Sequence, residues 1–308
     1  MPNRALLAAS RSRTLRGLIT GVPLTRRVVD RFVAGEDLDQ ASAVIAGLVD
    51  EGLTVTVDRL GEDTLDASDA ATTRDAYLAM LKRFAELGVA DHVEVSVKLS
   101  ALGQKLPEDA AQISLENAVA IAEAARDAGT TMTLDMEDHT TVDATLGTLR
   151  ELRGEFPWVG VAIQAMLRRT EGDLADLATA GSRIRLVKGA YMEPASVAHQ
   201  DKHEVDKAYV RAMKTLMRSP AYPMIGSHDQ RMIDIAHKLV AETGRKPDGY
   251  EFQMLHGIRA AEQRALVAGG ETVRVYVPFG DDWYGYFMRR LAERPANVMF
   301  FVNSLVKR

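Results

Sequence analysis

Between residues 53 and 280 the chain alternates, eight times over, a short β-rich run with a longer amphipathic one, and few folds accept that order. The runs are LTVTVDRLG, VEVSVKLSA, TTMTLDMED, WVGVAIQAM, RIRLVKGAY, YPMIGSHD, YEFQMLHG and TVRVYVPFG. Between them stand stretches such as RDAYLAMLKRFAELG, in which Tyr77, Met80, Leu81, Phe84 and Leu87 keep the helical period. Strand alternating with helix argues for parallel βα units, and eight of them suit the roughly 250 residues of a (βα)8 barrel. A doubly wound sheet is the competing architecture, but nothing in the chain matches G-x-G-x-x-G or a P-loop. The expected organisation is an N-terminal helical segment over 1–52, with a helix at about 38–51, followed by the barrel over 53–308.

Alternation inside the runs says which way each side chain points. Val93, Val95, Val97 and Leu99 share one face, and Glu94, Ser96, Lys98 and Ser100 the other. Thr131, Thr133, Asp135 and Glu137 likewise oppose Met132, Leu134 and Met136, and the first and last runs follow the same pattern. The apolar faces should meet the outer helices, so the polar faces point into the barrel and end at the C-terminal rim, where barrel enzymes place their chemistry. The rim then reads Asp58, Lys98, Asp135 with Glu137, Gln164, Arg185 with Lys188, His228, Gln253 with Leu255, and Tyr276. Arg185 and Lys188 fall on opposite faces, so both reach the pocket only if the strand ends or bulges near Gly189.

Composition removes several classes of function. The formal charge is −5 with acids and bases interspersed, which gives no footprint for nucleic acid. With no cysteine there is no disulfide, thiolate metal site or cysteine nucleophile, a usage that fits an intracellular chain. No apolar run approaches the ~18 residues that span a bilayer. Residues 1–29 carry Arg4, Arg11, Arg13, Arg16, Arg26 and Arg27 and no acid. That asymmetry suits a helical layer packed on the barrel, with a transit-like or interfacial basic helix as the alternative.

A rim rich in cations and poor in acids suits an anionic ligand, whether a phosphate-bearing cofactor or a carboxylate substrate. Metal chemistry is weakly supported, because the helical H-x-x-x-H pair His199 and His203 implies no third ligand. Two enzyme classes remain. In one, Lys188 or Lys98 forms a Schiff base in an aldolase-like lyase; in the other, the lysines supply fixed charge to a cofactor. Near the end of the chain, Tyr286, Arg289, Arg290 and Glu293 share one helical stripe, and two guanidinium forks on one stripe can converge on a carboxylate. That pair favours the second class.

Read as words, VSVKLSA, LDMED, RLVKGAY, GSHD, FQMLHG, RVYVPFG and YFMRRLAERPAN resemble the blocks of the proline dehydrogenase family, in its order over roughly residues 53–305. The length leaves no room for the aldehyde dehydrogenase that bifunctional members append. The resemblance implies a distorted barrel with the final helix over its mouth, and oxidation of L-proline to Δ1-pyrroline-5-carboxylate by hydride transfer to FAD. It implies that Arg289, Arg290 and Lys98 hold the proline carboxylate and that Glu293 holds an arginine. Tyr276, Tyr286, Leu255 and Ala190 or Tyr191 would wall the ring, with Asp135 beside Lys98. Gln164, Arg185, Val187, Lys188, Gly189, Ala190 and His228 would contact FAD, with no metal and no assigned general base. Electrons would pass to a membrane quinone, with a cytoplasmic location, peripheral contact at the inner membrane face, or the mitochondrial matrix in a eukaryote.

Overall fold

The computed structural model describes residues 29–293, apart from the side chains of Arg289, Leu291, Ala292 and Glu293. Strands β1 Thr54–Arg59, β2 Val93–Val97, β3 Thr131–Leu134, β4 Gly160–Gln164, β5 Arg183–Val187, β6 Tyr222–Gly226, β7 Glu251–Leu255 and β8 Val273–Phe279 form the eight expected units. Each bonds in parallel to its successor, and β8 bonds back to β1, closing the barrel. The helices are α1 Leu38–Asp50, α2 Ala67–Glu86, α3 Ala110–Ala128, α4 Val142–Glu155, α5 Thr170–Leu177, α6 Lys202–Arg218, α7 Gln230–Thr243, α8 Ala260–Ala268 and α9 Trp283–Glu293. Aspartates start four of them: the carboxylates of Asp37, Asp66, Asp201 and Asp229 accept first-turn N–H groups of α1, α2, α6 and α7.

The period-2 pattern sorts the layers as expected. Val55, Val57, Val95, Met132, Leu134, Ile163, Ile184, Leu186 and Val275 sit in one fully buried apolar layer with Ile45, Tyr77, Leu81, Ile121, Leu149 and Met213 of the helices. Such a layer between sheet and helices is the main apolar burial a barrel makes. One residue of the predicted α2 stripe departs from it: Leu87 lies just past the helix end and is exposed, because the chain turns away at Gly88.

A second, smaller apolar cluster positions the last helix. Val29, Phe32 and Val33 pack with Leu60, Ile258, Trp283, Tyr284, Phe287 and Met288. The rings of Trp283 and Phe287 stand edge to face at 6.0 Å, and Phe32 lies 6.4 Å from Phe287. Backbone bonds from Ala34 to Pro278 and from Gly280 to Gly35 tie the same segment to the end of β8. Residues 29–35 are therefore a seat for α9. The arginine-rich stretch before them lies outside the described residues.

Candidate active site

A cavity of about 1190 Å³ opens at the C-terminal rim of the barrel. Lys98, Asp135, Gln164, Arg185, Lys188, His228, Leu255 and Tyr276 of the rim order line it with Tyr286 and Arg290 of the final helix, and so do Val187, Gly189, Ala190 and Tyr191, which the family resemblance implies. The side chains of Arg289 and Glu293 lie outside the described ones.

At the cavity floor, Lys98 of the β2 end donates to both carboxylate oxygens of Asp58 at 2.7 Å. Its Nζ lies 3.4 Å from Asp135 and 3.5 Å from the Tyr276 hydroxyl, which itself donates to Asp135 at 2.7 Å. Burial disfavours an ammonium here, but Asp58, Tyr276 and Asp135 outweigh it and hold Lys98 protonated, with its pKa well above the ordinary value. Burial likewise pushes Asp135 up, and Lys98 with Arg185 reverses the shift, leaving its carboxyl below the usual range.

Deeper in the barrel, Arg185 donates to Asp135 at 2.6 Å, Gln253 at 2.7 Å and Glu94 at 2.8 Å. Glu94 is fully buried and also receives Arg183 at 2.8 Å and the Thr56 hydroxyl at 3.0 Å. Arg274 and Gln253 donate to Glu251. Four interior cations, Lys98, Arg183, Arg185 and Arg274, thus meet four carboxylates, Asp58, Glu94, Asp135 and Glu251. This corrects the expectation of a rim poor in acids. Asp58 and Asp135 stand in the predicted rim and Glu94 on the inward face of β2, but each counts as an acid of the site only once its cation is known, and Glu251 lies one layer below Gln253.

The outer wall repeats the arrangement. Strand β5 stops at Val187, which frees Lys188 from the alternation and lets it reach the cavity together with Arg185. Lys188 donates to Asp206 of α6 at 2.5 Å and to Asp229 at 3.0 Å, and Arg231 donates to the same two aspartates. Gly189 has φ +106, and a Cβ there would sit 2.4 Å from the Met166 sulfur. Its lack of a side chain is thus explained by Met166 and by the backbone conformation, without reference to a flavin.

Two predicted rim residues act differently. The Glu137 carboxylate accepts from the Ser100 hydroxyl at 2.6 Å and from its backbone N–H at 3.1 Å, which directs it to the loop after β2 and away from the cavity. Nε2 of His228 accepts the backbone N–H of Leu255 at 2.8 Å, so a neutral ring carries its proton on Nδ1. Gln164 donates to the carbonyls of Met136 and Glu137, while its Oε1 is a buried acceptor with no hydrogen-bond partner. From α9, the Arg290 guanidinium stacks 4.9 Å over the Tyr286 ring, and both face the cavity. Sequence reasoning missed Glu62, Met166, Glu193, Asp206 and Asp229, which also line it. Of these, Met166 closes the WVGVAIQAM run and Asp229 stands next to His228 in the SHD word.

The chain resembles known proteins over most of its length. Residues 41–303 match the sequence pattern described as proline dehydrogenase. The proline dehydrogenase of Deinococcus radiodurans is 40% identical over 282 residues, covering 91% of this chain and 90% of its own. Proline dehydrogenase 2 of Bacillus subtilis is 37% identical over 284 residues, 92% of either chain. Among solved structures, proline utilization A from Bdellovibrio bacteriovorus, inactivated by N-propargylglycine, superposes with a TM-score of 0.81 at 26% identity. The match covers 87% of this chain and 32% of that one.

Proposed function

The chain belongs to the proline dehydrogenase family, and from that premise we propose that its rim cavity oxidises L-proline to Δ1-pyrroline-5-carboxylate with FAD as the acceptor. The observation that carries the reading is the convergence on one cavity of Lys98 from β2 and Arg290 from α9, with Tyr276 and Tyr286 beside them. An amino-acid carboxylate fits two cations from separate elements, and aromatic walls suit an apolar ring.

Two features support FAD as well as substrate. The cavity, at about 1190 Å³, is larger than the ~300–1,000 Å³ of an ordinary small-ligand pocket, far more than an amino acid fills. Its wall also holds the unpartnered Gln164 Oε1, an acceptor that a bound donor satisfies. Gln164, Arg185, Val187, Lys188, Gly189, Ala190 and His228 would hold the cofactor, which when bound supplies the hydride acceptor. The protein's own part is to orient. Arg290 with Arg289 grips the carboxylate, Lys98 adds a third positive contact, and Leu255, Tyr276 and Tyr286 fix the ring so that its C5 hydrogen meets the acceptor. Lys98 can contribute net attraction only by sharing its charge with Asp58 and Asp135, so the arginines do most of the gripping.

The Schiff-base lyase is the weaker reading. Lys98 is held as an ammonium between carboxylates, and Lys188 donates to two more, whereas a Schiff-base nucleophile must be a free amine. A membrane quinone is the proposed electron acceptor, in a cytoplasmic protein that touches the membrane peripherally. Among the described residues no helix is long and apolar enough to cross a bilayer. Deleting residues 1–29 tests the contact, and unchanged liposome binding with unchanged quinone kinetics would remove that segment from it. The central test is an absorbance spectrum taken anaerobically before and after L-proline. A flavin band that bleaches is the expected result; a colourless protein that FAD cannot reconstitute would return the lyase, with borohydride trapping at Lys188 as the next experiment.

A further inference from the structure

The stretch from Lys188 to Asp201, between β5 and α6, holds no helix or regular strand, yet it supplies Lys188, Gly189, Ala190, Tyr191 and Glu193 to the cavity wall. Its far end is well anchored. His199 donates its backbone N–H to Met166, Arg168 donates to Val197, and Leu167 pairs with Ala198 as an isolated bridge. Its near end and tip are held otherwise. Met192 is 55% exposed, while the next side chain, Glu193, is only 2% exposed.

Both oxygens of that buried carboxylate go to a single residue of another loop. Oε1 accepts the backbone N–H of His139 at 2.9 Å, and Oε2 pairs closely with Nδ1 of its ring. His139 follows β3, so the clasp reaches across the intervening strand β4 and joins the loop of Asp135 to the loop of Lys188. The Glu193 carbonyl also accepts from the Gln200 side chain, which ties the tip to its own far end.

We propose that Glu193 is a positioning residue, clasped to His139, that holds the stretch from Lys188 to Tyr191 in its cavity-facing conformation and thereby sets how long FAD stays bound. The inference rests on the flavin reading given above. A carboxylate buried at the cavity wall and bonded only outward from its own loop contributes little as a surface ion pair. Its energetic role is to tie the tip of the loop to the loop after β3, between a near end held through Lys188 and a far end anchored on Met166 and Arg168. Without it the near end of the loop keeps Lys188 on Asp206 and Asp229, but the tip loses its tie to the loop after β3.

The test is made on flavin-loaded protein, following release of FAD by the rise in its fluorescence on dilution, with limited proteolysis of the same samples. Glu193→Ala should release FAD about tenfold faster, the factor that corresponds to losing one bond to a charged group, and should be cut within residues 189–198. His139→Ala, which keeps its backbone N–H, should show a smaller increase in the same direction, and it serves if Glu193→Ala does not fold. Arg264→Ala breaks the exposed pair with Glu51 at the other end of the molecule and should release flavin at the wild-type rate. Wild-type release from both clasp variants would overturn the inference alone, as would equal acceleration in Arg264→Ala. A wild-type protein that takes up no flavin would overturn it together with the reading on which it rests.

Discussion

Arg290 shows how much a single side chain can be asked to do. It is buried, stacked on Tyr286, and carried by a helix that packs on residues 29–35. Lysine in its place keeps the charge and loses the planar fork and the stacking. Arg290→Lys should therefore raise KM for L-proline by about tenfold or more, the equivalent of one charge-assisted bond, while flavin remains bound. Steady-state kinetics with a flavin-to-protein absorbance ratio would check this, and a wild-type KM would sink the assignment. At this scale the sequence was half legible. Period-2 alternation announces an inward side chain, so Lys98, Gln164, Arg185 and Tyr276 could be read directly. Apart from Asp135, the partners of those residues and of Lys188 could not. Asp206 sits on a helix, Asp58 and Glu94 take their meaning from the neighbouring strand, and no local pattern tells a free cation from one already bonded.

At the scale of elements, the ends of helices carry information that the strands do not. Arg245, two residues past α7, donates to the carbonyls of Leu216, Met217, Ser219, Ala221 and Gly249, and so collects the C-terminal end of α6, the turn before β6 and the turn before β7. Burial lowers its pKa, and the groups it donates to are all carbonyl oxygens. Arg245→Ala should cost about 3 kcal/mol, a fall in Tm on the order of 5 °C for a chain of this size. Thermal unfolding followed by circular dichroism decides it, and a shift within 1–2 °C, about the effect of a surface substitution, would show the bonds to be incidental. The eight strands and the helices between them were legible because both hydrophobic periods are strong. The seat of α9 was not, since Val29, Phe32 and Val33 meet Trp283 and Phe287 across more than two hundred residues, and no periodicity within either segment reports that contact.

At the scale of the whole molecule, the interior is a salt network inside an apolar shell. Burial raises the Glu94 carboxyl, but Arg183, Arg274 and Arg185 outweigh it and hold it far below the ordinary range; Asp135 is lowered by Lys98 and Arg185 against the same opposing burial. Folded carboxyls of depressed pKa stabilise the protein fully above their unfolded pKa, about 4, and this contribution is lost as pH falls through the folded values. Tm should accordingly fall steeply below about pH 4, and a Tm that held steady down to about pH 2 would contradict the network. The barrel was legible at this scale, its charge balance was not, because balance is a property of a closed ring. The same balance restricts how such a barrel can change over generations. Replacing Glu94 alone leaves Arg183 without its buried carboxylate and Arg185 with Asp135 only, a loss of about 3–5 kcal/mol, whereas replacing it together with Arg183 or Arg185 leaves a smaller set still neutral. Lineages that drift in this interior must therefore exchange residues in compensating couples, and a graft that carries the rim of this barrel onto another scaffold has to bring the buried layer beneath it as well.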